Sequence, residues 1–101
     1  MQGKIKIPKD KIEGFCKENH IIKLSIFGSV LRDDFNETSD IDILVEFDKN
    51  HVPGFIRLAN MANKLSELLG GKKIDIRTPN ELSPYFREKV LKSAEVQYVQ
   101  R

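Results

Sequence analysis

What these 101 residues lack narrows the field before what they contain does. A single cysteine, Cys16, excludes an internal disulfide and fits a reducing compartment. No apolar run approaches the roughly 20 residues that a membrane-spanning helix needs. The opening MQGKIKIPKDK has no apolar segment of the kind that drives secretion. Both absences predict a soluble, cytoplasmic protein. Charge of one sign is also missing: 17 basic residues stand against 15 acidic ones, a net of +2, without the concentrated basic face of a nucleic-acid binder. The length suits one domain over residues 1–101 and leaves no room for a bulky second substrate domain. The two histidines, His20 and His51, lack metal-ligand spacing and are assigned surface or packing roles.

What is there is ordinary globular composition, 40% hydrophobic and 32% charged, enough for one core. Residues 8–19 place Ile12, Phe15, Cys16 and Asn19 at helical spacing behind a proline suited to a first turn. Cys16 is thereby a core residue and not a nucleophile. Residues 21–27, IIKLSIF, alternate with Ile22, Leu24 and Ile26 on one face. Gly28 ends that strand, and residues 29–34 are expected to form a short helix before the polar loop FNETS. A second strand, DIDILVEF over 40–47, sets Ile41, Ile43, Val45 and Phe47 against Asp40, Asp42, Leu44 and Glu46.

Beyond Pro53-Gly54, the segment FIRLANMANKLSELLGG reads as a long helix stopped by Gly70-Gly71. Its apolar face is predicted to hold Phe55, Leu58, Ala59, Ala62, Leu65, Leu68 and Leu69. Ile56 and Met61 fall outside that stripe as a candidate contact surface. KKIDIRT is a third strand with Ile74 and Ile76 opposite Lys73, Asp75 and Arg77. A last helix around 83–94 stacks Phe86, Val90 and Ala94, and EVQYVQR ends the chain as a short strand. Phe86 is assigned to the core, and Tyr85 is left open as part of a partner surface. These patterns predict an α+β protein: a small mixed sheet, helices packed on one face, and the active site on the other.

The chemistry concentrates on that second face. Residues i and i+2 of a strand share a side, so Asp40 and Asp42 stand together, and Asp75 would join them from a neighbouring strand. Three carboxylates at that range resist one another unless a cation intervenes. Mg²⁺ is suited to one or two carboxylates plus phosphate oxygens, and two such ions can align a nucleophile with a leaving group. Gly28-Ser29 supplies the complementary half: backbone that approaches a phosphate, a hydroxyl to bond it, and Arg32 one turn on. Alone, Asp-x-Asp is a weak signal, better read as a turn or strand-entry feature, and Lys72-Lys73 is better read as a solvated strand start than as a phosphate contact. Together, G-S-x10-D-x-D would arise by chance in about one in a thousand chains of this length.

That motif, with the later strand aspartate, resembles the nucleotidyltransferase superfamily related to DNA polymerase beta. More narrowly, FGSVLRDDFNETSDIDILVEF, KKIDIRTPNEL and LSPYFREKVLKSAEVQYV resemble the minimal nucleotidyltransferases, antitoxin partners of HEPN-domain toxins, over essentially residues 10 to 99. The resemblance implies the nucleotidyltransferase fold and transfer of AMP from Mg·ATP to a hydroxyl, a tyrosine on the toxin. It implies that Gly28 and Ser29 hold the triphosphate and that Asp40 and Asp42 ligate two metal ions. Asp75 would ligate the catalytic one and help activate the hydroxyl. Arg32 matches the family's arginine, whereas Leu31 and Asp33 stand where the family has alanine and glycine. Two other readings are weighed beside it. One is a binding module that silences its partner by occlusion. The other is transfer to a small molecule or an RNA end, which the short chain and weak basic balance disfavour.

Overall fold

The computed structural model describes residues 8–28 and 40–100. The helix expected over 29–34, the loop after it, and with them Ser29, Leu31, Arg32 and Asp33, lie outside the described residues. The elements run α1 (Lys9–Glu18), β1 (Ile21–Phe27), β2 (Ile41–Phe47), α2 (Phe55–Leu68), β3 (Ile74–Arg77), α3 (Pro84–Ser93) and β4 (Glu95–Val99). The strands form one mixed sheet in the order β3-β2-β1-β4, with β1 antiparallel to β2 and β4, and β2 parallel to β3. A parallel neighbour needs a crossover, and α2 provides it. The α+β architecture expected from the sequence is the one observed.

The main core fills the space between the sheet and two helices. Ile41, Ile43 and Val45 of β2 meet Ile12, Phe15 and Cys16 of α1 and Met61 and Leu65 of α2, with Leu69 just beyond it. α1 ends at Asn19, whose side-chain amide donates to the Phe15 carbonyl at 2.9 Å, and His20 turns the chain with a positive φ of 59°. α2 ends in a Schellman arrangement: Gly71 N–H donates to the Ser66 carbonyl at 2.7 Å, and Gly70 and Gly71 both sit at φ +85°.

Details of the sequence reading change, and Ala59, expected on the apolar face of α2, is exposed. A register irregularity between Ile21 and Lys23 puts Ile21, and not Ile22, in the core, because an extra residue in one strand shifts its alternation. Met61 is buried to 3% and belongs to the core, in line with Leu65 and Leu69 one and two turns on, so it is no contact surface. Phe55 is 90% exposed: it is the first residue of α2, and helical side chains lean toward the N-terminus, so no turn of the helix lies beneath its ring.

The opposite face of the sheet bears a smaller cluster, Phe27 and Leu44 against Val90 of α3, with Leu82 and Ala94 packed beside it. α3 begins at Ser83, whose hydroxyl accepts the Phe86 N–H at 3.3 Å. Arg87 ties it to the preceding 3-10 turn (Pro79–Glu81), donating to the Pro79 carbonyl at 2.7 Å and the Leu82 carbonyl at 3.2 Å. Two helices thus cover one face and a third borders the other. Leu65 is fully buried in the main cluster, and Leu65→Ala is expected to lower stability by about 3 kcal/mol. A urea midpoint that did not move would contradict this packing.

Candidate functional site

Pairing in the sheet places the acidic side chains. Phe27 of β1 is opposite Asp42 of β2, and Asp42 is opposite Asp75 of β3, so the three form one row on the α3 side. Adjacent strands lie about 4.8 Å apart, which sets the Asp42 and Asp75 backbones at neighbour distance. The next row on this face runs Ser25, Leu44, Arg77. The convergence expected of Asp42 and Asp75 is therefore a consequence of parallel pairing in this register. Asp40 immediately precedes β2 and is half-buried, but it does not line the cavity at the row's end. Among the described residues, no group of three acidic, histidine or cysteine side chains is disposed to hold a metal ion.

Gly28 follows Phe27 at the end of the row. Its φ is +80°, in the left-handed region, and a Cβ built there would run into the Asp42 carboxylate. The turn and the aspartate are thus fitted to each other, and only glycine satisfies both the dihedral and the space. The backbone at Gly28 is held close against an acidic oxygen of Asp42.

A cavity of about 700 Å³ opens over this row. Gly28, Asp42, Asp75 and Arg77 line one side, and Tyr85, Phe86, Lys89 and Val90 of α3 the other. Phe86 is 47% exposed, so its assignment to the core is corrected: Val90, one turn on, takes the inward position, and Phe86 turns to the cavity. Tyr85 is 73% exposed, with the Lys89 ammonium 5.4 Å from its ring centre. Neither Lys72 nor Lys73 lines this cavity.

Arg77 went unremarked in the sequence beyond its strand face. Its Nη2 donates to Asp75 Oδ2 at 3.3 Å and its Nε lies 3.3 Å from Oδ1, a forked pair. Glu81, which also lines the cavity, places Oε2 3.9 Å from Arg77 Nη1 while its Oε1 accepts from the Thr78 N–H at 3.3 Å and hydroxyl at 3.2 Å. The signal was available in the spacing: Arg77 is i+2 from Asp75 on one strand and so shares its face.

A larger cavity, about 820 Å³, lies between α1, β1 and β4, bordered by His20 and Tyr98. Its carboxylates, Glu13 and Asp48, are not set in a strand-paired row, and no glycine turn adjoins them; the smaller cavity is the candidate site. The His20 and His51 rings stack there at 3.8 Å between centres, which agrees with a packing role. Cys16 is fully buried, and burial pushes its thiol up from 9.0 to about 12, so it holds its proton and is no nucleophile at neutral pH.

The donor set suits a hard cation in part. Two neighbouring carboxylates are the number Mg²⁺ commonly takes from a protein, with room for phosphate oxygens and water beside them. The cavity can therefore accommodate a cation and a polyphosphate against the Gly28 turn.

Comparison with known proteins points the same way. The family described as polymerase beta, nucleotidyltransferase, matches residues 10–100. A Methanocaldococcus jannaschii protein that carries the provisional name protein adenylyltransferase MJ0435 is 37% identical over 86 residues, 85% of this chain and 89% of that protein. A solved structure described provisionally as a minimal nucleotidyltransferase superposes with a TM-score of 0.71 at 31% identity, covering 85% of each chain. A toxin–antitoxin structure with AMP-PNP has the same fold at 20% identity, with a TM-score of 0.73 over 93% of this chain and 75% of its own.

Proposed function

Because this chain belongs to the polymerase beta nucleotidyltransferase family, we propose that it transfers AMP from ATP to a hydroxyl of a partner protein and acts as an antitoxin. The acceptor in this reading is a tyrosine of a HEPN-domain toxin. The observation that carries the proposal is the row joining Asp42 and Asp75 beside the Gly28 turn. The relative named as an adenylyltransferase and the toxin–antitoxin complex holding an ATP analogue support the choice of substrate and partner. Among the described residues no helix is long and apolar enough to cross a membrane.

In this reading Asp42 and Asp75 would hold Mg²⁺, and Asp40, which stands outside the cavity at the start of β2, would have to turn toward them to complete a site for two ions. Bound there, the cation would neutralise phosphate charge and stabilise the leaving pyrophosphate. Gly28, Ser29 and Arg32 would receive the triphosphate. The acceptor oxygen attacks the α-phosphorus, the bond from that phosphorus to the bridging oxygen breaks, and pyrophosphate departs with the electron pair. Asp75, facing the cavity, would orient the hydroxyl and accept its proton. Tyr85 and Phe86 border the space through which the acceptor would enter.

The test is incubation of the protein with α-labelled ATP, Mg²⁺ and a candidate HEPN-domain toxin. Label is expected on the toxin, released as tyrosine-linked AMP on digestion, and lost with EDTA. If the toxin stays unlabelled under conditions in which the complex forms, the adenylyltransferase reading is wrong.

A further inference from the structure

The Arg77 fork occupies a carboxylate that the proposed reaction needs. Both Asp75 oxygens face guanidinium nitrogens at 3.3 Å, and a divalent cation on the same carboxylate would meet that positive charge at close range. The third nitrogen, Nη1, already lies 3.9 Å from Glu81, a carboxylate held from its other oxygen by Thr78. One guanidinium therefore stands between two carboxylates on the wall of one cavity. All three side chains are 39–47% exposed, so the Asp75 pair is weak and its exchange for another partner costs little.

From this arrangement we infer that Arg77 is a positioning residue that holds Asp75 in the cation-free protein and passes to Glu81 when a divalent cation is taken up. The inference rests on the reading of Asp42 and Asp75 as cation ligands. Arg77 keeps the paired aspartates from repelling each other while the site is unloaded, and Glu81 gives the displaced charge somewhere to go. A shift of about 1 Å brings Nη1 from its present separation to charge-assisted hydrogen-bond distance from Glu81. A lysine would not serve equally, because a single ammonium cannot engage one carboxylate with two donors and reach the other with a third.

Mn²⁺ alone, titrated into the full chain and followed by the electron paramagnetic resonance signal of the free ion, reads the exchange without turnover. Arg77→Gln is expected to tighten Mn²⁺ binding about threefold to tenfold, by removing a positive charge from the ligand. Glu81→Gln should weaken it about twofold to threefold, since the displaced guanidinium loses its resting place. Glutamine retains the carbonyl oxygen that bonds Thr78, so the turn stays capped. The double variant should bind like Arg77→Gln alone, because Glu81 acts through Arg77. Half-saturating Mg²⁺ in the labelling assay should move in the same two directions. Unchanged binding in Arg77→Gln, or a Glu81→Gln effect that persists in full without Arg77, would overturn the inference while leaving the site reading intact. Wild-type binding no tighter than that of Asp42→Asn would overturn the site reading and this inference with it.

Discussion

Asp42→Asn is expected to abolish AMP transfer, with a loss of at least about 10³-fold, while the protein folds as before. The substitution is isosteric, so the close fit of residue 42 against the Gly28 turn survives, and Asn can occupy the same place in β2. What disappears is one negative charge from a pair set side by side across two strands. Charge neutralisation by a bound divalent ion is worth several kcal/mol to the transition state, and each 1.4 kcal/mol is tenfold in rate. The control is the urea midpoint, which should stay close to that of the wild type. Retention of the full rate in a folded Asp42→Asn protein would rule out the carboxylate row as the reaction centre.

The same variant separates enzyme from occluding partner. Co-expressed with the proposed toxin partner, Asp42→Asn should still bind it and should no longer rescue growth. Rescue without transfer would mean that contact alone silences the toxin, and the row would then be a relic of the fold. The outcome turns on one atom changed at a position whose packing does not change, which is why this residue is the better choice than Asp75. Removing Asp75 would also release Arg77 and confound loss of a ligand with a misplaced cation.

The sequence reveals the parts of this site more fully than their arrangement. Period-two alternation puts Asp42 and Asp75 each on the polar side of its strand, because side chains must alternate across a sheet. It cannot reveal that β2 and β3 are neighbours or that residue 42 pairs with residue 75; that depends on how α2 carries the chain across. Local irregularity is equally hidden: the bulge in β1 exchanges Ile22 for Ile21, and no pattern of residue types marks it. Helix faces blur where a stripe is wide. Met61 and Phe55 trade places because burial follows position along the helix, not hydrophobicity alone: Phe55 is its first residue and Met61 lies in its middle. Phe86 is the instructive case. Its spacing from Val90 is right for a core pair, yet Val90 is the one buried residue of α3, and the aromatic ring is left for the cavity. An exposed arginine on a strand is commonplace until its partner is known, so residue type alone does not single out Arg77.

Gly28→Ala is expected to cost about 10²-fold in transfer rate, in a protein that remains folded. Two effects act at that position and can be separated. An alanine at φ +80° carries left-handed strain of about 1–2 kcal/mol. Its Cβ would also collide with the Asp42 carboxylate, and the carboxylate is the end that yields, since it terminates a rotatable side chain. The strain lowers stability; the displacement moves the acidic oxygen from the row, and misplacement by about 1 Å is enough for a loss of that size. Gly70 provides the control. Its φ is +85°, but a Cβ there meets nothing within 4 Å, and it lies at the end of α2, away from the cavity. Gly70→Ala should therefore lose comparable stability and keep its rate. If both alanines slowed transfer alike, strain would account for the effect. If Gly28→Ala reacted at the wild-type rate, the fit between the glycine turn and Asp42 would have no part in catalysis.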